Sequence, residues 1–176
     1  LREGIAIGED PVHPLIRLPG KLYPLRPNSM GLELGYQPHL SLLSEAMEKF
    51  RPPHKTLGAI INGEHHQAQG EEFPILNPAR LDRPLGAWQA STSADVDAAI
   101  ATAKAAFEEW NIWPVEERAE VLRRFADLME ENLAPLIAII THEAGRTWDD
   151  GIAEVREAVD FCRYYANQAE DLMQPQ

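Results

Sequence analysis

Proline limits this chain more than any other residue. Eleven of its 14 prolines precede Ser91, and proline offers no amide to a helix interior or a central strand. The first half must therefore be connector, turns and short strands, and the long helices belong to the second half. Pro11, Pro14, Pro19, Pro24 and Pro27 leave no room for a long helix within residues 10–27, which read as an extended segment laid over a surface. Pro38 suits a first helical turn. Leu40, Leu43, Met47 and Phe50 then recur at helical spacing until Pro52-Pro53, predicting a short helix over residues 38–49.

Residues 56–61 are apolar with β-branched members, Asn62-Gly63 is a strong hairpin signal, and residues 64–69 can return as a second strand. Residues 73–76 and 85–90 are further strands, separated by Asn77-Pro78 and a charged turn at residues 80–83.

Charge divides at the same place as proline. Residues 1–90 carry 10 acidic and 9 basic side chains, whereas residues 91–176 carry 18 and 7, so two differently built halves meet near Ser91. The second half is helical by its periodicity. Val96, Ile100, Ala103, Phe107 and Trp110 step by helical intervals, and Thr92 with Asp95 has capping-box spacing. Val115, Ala119, Leu122, Ala126, Met129 and Leu133 continue the rhythm after Pro114. Pro135 opens another turn whose apolar face, Leu136, Ile139 and Ile140, runs to a C-terminal cap at Gly145. Thr147 with Asp150 forms a second capping box, ahead of Ile152, Val155, Val159, Cys162, Ala166, Ala169 and Met173 on one stripe. Three or four amphipathic helices follow one another, with no internal repeat.

The composition narrows the function. Of 176 residues, 44% are hydrophobic and 25% charged, which suits a globular fold. No apolar run approaches the roughly 20 residues of a membrane span. A formal charge of −12 repels phosphate backbones, so nucleic-acid binding through this segment is not expected. The single cysteine excludes an intramolecular disulfide, and with no secretory signal a cytoplasmic setting is expected. Because it begins at Leu1 and stops soon after a helical pattern, the chain is expected to be a fragment.

Few residues are candidates for chemistry. A catalytic thiol needs an electropositive, accessible setting, yet Cys162 lies on an apolar stripe between Asp160 and Arg163 with no histidine near in sequence, so it reads as a packed structural thiol. His65 and His66 point to opposite faces of a strand and do not readily share a metal. The pairs Glu108-Glu109, Glu116-Glu117, Glu130-Glu131 and Asp149-Asp150 read mainly as solvated faces and helix caps. Glu157 stands nearly opposite its helix's main stripe, with Phe161 and Tyr164 on its own side at i+4 and i+7. It is either a solvent-facing glutamate or a carboxylate with a cationic partner or ligand. Gly4-x-x-x-Gly8 and Gly31-x-x-x-Gly35 lack the spacing of a phosphate-binding loop, and no nucleophilic triad or metal cluster stands out. No catalytic, cofactor-binding or metal-ligating residue is therefore assigned from motifs.

A resemblance goes further. Ile61-Asn-Gly-Glu64, Phe73-Pro-Ile-Leu-Asn-Pro78, and Ser93-Ala-Asp-Val-Asp97 leading to Ala105-Ala-Phe107 and Trp110 are similar to the opening strands and first helix of the aldehyde dehydrogenase superfamily. Glu117-Arg118-Ala119, Leu122, Ala126 and Glu143-Ala-Gly-Arg-Thr147 match its next two helices. The helix Ala153-Glu-Val-Arg-Glu-Ala-Val-Asp-Phe-Cys-Arg-Tyr-Tyr-Ala166 resembles the glutamate semialdehyde (pyrroline-5-carboxylate) dehydrogenase branch. His13-Pro-Leu-Ile-Arg-Leu-Pro19, Leu22-Tyr23 and Arg26-Pro-Asn-Ser-Met-Gly31 resemble the connector of the bifunctional proline utilization A family. Val115 departs from the pattern, standing where relatives often have a serine or threonine cap.

The resemblance implies an α/β, aldehyde dehydrogenase-like fragment: a connector with a short helix over residues 1–55, then strands over 56–90 and helices over 92–173 within a domain part at 56–176. It implies an NAD-dependent oxidation of glutamate semialdehyde to glutamate, with an FAD-dependent proline dehydrogenase before Leu1 and the rest of the same polypeptide, including the nucleophilic cysteine, the general base and the NAD turn, after Gln176. The isolated chain is then expected to be inactive, and the whole enzyme to be a homo-oligomer. One site residue carries over: Glu157 matches a glutamate near the amino-acid end of the substrate, where a carboxylate pairs with the ammonium group. The rival from another class is a stand-alone helical interaction module without catalysis.

Overall fold

The computed structural model describes residues 15–17, 19–50, 56–66 and 69–173. The expectations for Pro11, Pro14, Pro52-Pro53, His13 and part of the returning hairpin strand lie outside them. After a 3-10 turn at Pro19–Lys21, the order is α1 Gln37–Lys49, β1 Ile60–Ile61, β2 Glu64–His65, β3 Glu72–Ile75, β4 Gly86–Gln89, α2 Ser93–Ile112, α3 Val115–Glu131, α4 Leu133–Ala144 and α5 Trp148–Leu172. Among the described residues no helix is long and apolar enough to cross a membrane.

The strands form two antiparallel pairs. β1 and β2 are shorter than the pattern suggested, but their turn is as expected: Asn62 and Gly63 have φ of 54° and 76°, a left-handed pair that glycine and asparagine tolerate best. β3 faces β4 in the register Phe73 to Trp88, whose rings stack at 5.1 Å, and Leu57 adds backbone bonds to Ala87 and Gln89 along β4.

Each helix starts and stops for a local reason. Thr92 and Asp95 close a full capping box on α2. α3 begins after Pro114 with no side-chain cap, and Val115, its first residue, is buried. Leu133 opens α4 rather than extending α3, because the chain leaves helical geometry at Asn132 and Pro135 fits the first turn that follows. Gly145, φ 67°, ends α4 in the left-handed cap that glycine adopts without strain. Thr147 accepts from the Asp150 amide, but its hydroxyl bonds the Asp150 carboxylate, so only half of the expected box forms.

The core lies between α1, α3, α4 and α5. α5 packs along α3 and α4, and α1 lies on α4. Leu43, Ala126, Ile137, Ile152, Val155 and Val159 fill the centre, and Leu32 and Leu34 cover one side of it. Among the described residues the expected stripe of α2 finds little cover: none of that helix's residues is buried, and Val96, Ile100, Phe107 and Trp110 remain exposed.

Candidate functional site

The site candidate sits on α5. Thr147 caps this helix, and Asp149 and Asp150 place negative charge in its first turn, where the helix dipole favours it. One side of α5 buries Ile152, Val155, Val159 and Ala166. The other presents Glu157 to solvent, with Phe161 49% and Tyr164 45% exposed. Tyr165 stacks on Phe161 at 5.9 Å and meets Tyr164 edge-on at 5.2 Å, so three aromatic rings gather on the two turns after the carboxylate. Among the described residues Glu157 has no hydrogen-bond or ion-pair partner. An exposed carboxylate on the same side of a helix as aromatic rings suits an ammonium group, which gains from charge pairing and from the ring quadrupole.

Cys162 packs against the core on another side of the same helix. Burial pushes its thiol above the ordinary range, and the neighbouring Arg163 guanidinium opposes this only in part. The thiolate is disfavoured, as the stripe position implied. His65 lies exposed on β2, and no group of three or more metal-ligating side chains comes together among the described residues. A cleft of about 570 Å³ between α1 and α4 is lined by Leu42, Ala46, Phe50, Ala138 and Ile139, among others, and includes none of these candidates.

Around α5 runs a set of charge pairs that periodicity alone does not reveal. Buried Arg163 donates to both carboxylate oxygens of Glu130 at 3.1 and 2.7 Å and to Asp127 at 2.8 Å. These bonds hold the guanidinium's pKa up against the cost of burial. Glu130, expected on a solvated face, is thus largely buried, and it also accepts the Met30 amide at 2.6 Å. Asp160 accepts from Arg26 at 2.7 Å and from the amide and hydroxyl of Ser29 at 3.0 and 2.8 Å. Arg123 grips Glu170 and Asn167, and Asn167 reaches the Leu25 carbonyl at 3.0 Å. The legible signal was Arg163 at i+4 from Val159 and Glu130 at i+4 from Ala126: opposite charges on the apolar stripes of two helices.

Residues 65–176 match the aldehyde dehydrogenase family. The chain belongs to that family. Among the relatives of this chain, the bifunctional protein PutA of Salmonella typhimurium is 39% identical over 165 residues, spanning 90% of this chain and 12% of that protein. The 1-pyrroline-5-carboxylate dehydrogenase of Staphylococcus haemolyticus is 28% identical, over 82% of this chain and 28% of its own. In fold, the chain is similar to proline utilization A from Bdellovibrio bacteriovorus, with a TM-score of 0.78 and 31% identity over 97% of this chain and 18% of the other. A 1-pyrroline-5-carboxylate dehydrogenase from Thermus, solved with bound NAD, superposes with a TM-score of 0.74 and 29% identity over 84% of this chain and 28% of that one. This chain therefore spans only a minor part of the proteins it matches.

Proposed function

We propose that this chain is an internal part of an enzyme that oxidises glutamate semialdehyde to glutamate with NAD, joined in one polypeptide to an FAD-dependent proline dehydrogenase. The observation that carries the reading is the 39% identity to bifunctional PutA over 165 residues, which includes the segment before the aldehyde dehydrogenase match. Residues 1–55 are the connector and 56–176 the first part of the dehydrogenase domain. The uncovered apolar stripe of α2 supports this, because such a face needs a cover that the described residues do not provide.

Within that reading, Glu157 pairs with the ammonium group of glutamate semialdehyde while Phe161 and Tyr164 flank its carbon chain. The aldehyde then points away from α5, toward chemistry carried by other parts of the polypeptide. NAD supplies the hydride acceptor when bound. No residue of this chain is assigned to it: at the junction from β4 into α2 the Asp95 carboxylate accepts the Thr92 amide, so that helix start is already capped and repels an anion. No step is assigned to this chain beyond holding and orienting the substrate's amino-acid end, and assembly into a homo-oligomer belongs to the whole enzyme.

NADH formation tests the proposal. The polypeptide extended through the dehydrogenase domain should reduce NAD with glutamate semialdehyde, and the 176-residue chain alone should not. An extended polypeptide inert toward this substrate, or a chain that serves only as a stand-alone interaction module, would overturn it.

A further inference from the structure

We infer that Asp160 is a positioning residue for substrate recognition, acting through Glu157 by fixing how α5 presents its exposed face; this rests on the reading of Glu157 given above. The two residues are three apart, neighbours on the helix surface. The Asp160 carboxylate closes a knot with the connector: Arg26 Nη1 at 2.7 Å, the Ser29 amide at 3.0 Å and the Ser29 hydroxyl at 2.8 Å. Ser29 is only 2% exposed. On the other side of Glu157, Arg156 Nε donates to the same Ser29 hydroxyl at 3.4 Å. Residues 156 and 160 thus bracket Glu157, and both are held by one buried serine.

The same strap is anchored at both ends. The Leu25 carbonyl accepts from Asn167 at 3.0 Å, the Met30 amide donates to Glu130 at 2.6 Å, and Arg26 lies 4.2 Å from the centre of the Tyr23 ring. Charge-assisted bonds of this kind are short and directional, so they resist rotation of the helix about its axis. Rotation matters at this position because the strap grips the very turn that carries Glu157. A displacement of about 1 Å in a substrate-positioning group can cost up to a hundredfold in efficiency. Ser29, Arg26 and Asp160 touch no substrate in this reading; their effect passes through the direction in which Glu157 points.

The test uses the complete enzyme that carries this chain and compares Glu157→Ala, Asp160→Asn, Ser29→Ala and the double variant Glu157→Ala with Asp160→Asn, on glutamate semialdehyde and on propanal. Asp160→Asn is expected to raise the KM for the semialdehyde about tenfold, with kcat and the KM for propanal within about twofold of wild type. The double variant should show no more than the Glu157→Ala effect, because a residue acting through Glu157 has nothing left to position. Ser29→Ala removes only one hydroxyl, so it gives the same pattern at smaller size should the asparagine variant fold poorly. Effects that add in the double variant, an unchanged KM, or equal losses on both aldehydes would each overturn the inference while a selective Glu157→Ala effect still stood. A Glu157→Ala variant without selective effect would instead overturn the underlying reading.

Discussion

α2 and α5 have equally regular apolar stripes, and the structure treats them in opposite ways. α5 buries Ile152, Val155, Val159 and Ala166 against α3 and α4, whereas α2 buries nothing and leaves Phe107 59% exposed. Periodicity thus says that a helix has a face to cover, not that the cover lies in the same chain. On the reverse side of α5 the same periodicity groups Glu157 with Phe161 and Tyr164, and the folded helix leaves all three exposed.

Substitution can break this comparison. The largest effect is expected at the shared core: Ile137, fully buried against α5, should cost about 3 kcal/mol when replaced by alanine. Phe107→Ser on α2 should change stability by no more than about 0.5 kcal/mol. Denaturant unfolding of the 176-residue chain measures both, and similar losses at the two sites would mean that α2 is packed after all.

Charge on the buried side comes next. Arg163→Ala leaves Glu130 buried without its cation and should cost about 2 kcal/mol, while Arg163→Met, which restores apolar contact, should cost less if Glu130 is also made Gln. At Gly145 an added Cβ would lie 2.8 Å from Pro78 Cγ and force a positive φ on alanine. Gly145→Ala should therefore lower the free energy of unfolding by about 1 kcal/mol with the fold retained, read as an earlier denaturant midpoint at unchanged slope.

The smallest effect is one of pH. The Arg123 guanidinium holds the Glu170 carboxyl below the ordinary range. A carboxyl lowered on folding stabilises the native state above its unfolded pKa, and that contribution fades as pH falls through the folded value. Arg123→Met should therefore cost on the order of 0.5 kcal/mol at pH 7 and progressively less below the usual glutamate pKa of about 4.3. Unfolding curves for both proteins from pH 7 to 3 should converge in acid; a constant gap would assign the loss to packing.

Much of this fold was legible in the sequence. Asn62-Gly63, Thr92 with Asp95, Gly145 and the prolines mark element ends because each acts on backbone within a few residues of itself. What stayed hidden depends on distant partners. Arg26 and Ser29 meet Asp160 across more than a hundred residues, and nothing local distinguishes them from other polar connector residues. Glu130 reads as half of a surface acidic pair because its partner Arg163 lies on another helix, 33 residues away. Even the misplaced Leu133 has this origin: its spacing suits α3, but Asn132 breaks the helix before it. At the candidate site, the wheel placed Phe161 and Tyr164 on the side of Glu157, while Tyr165 joins them only through the ring contacts of the folded helix.

The most direct test of the central claim is the ratio of KM values for glutamate semialdehyde and propanal in the complete enzyme, before and after Glu157→Ala. If Glu157 receives the ammonium group, the ratio rises at least about tenfold, nearly all of it from the semialdehyde. A ratio that stays constant would make Glu157 an ordinary solvent-facing glutamate and remove α5 from substrate recognition.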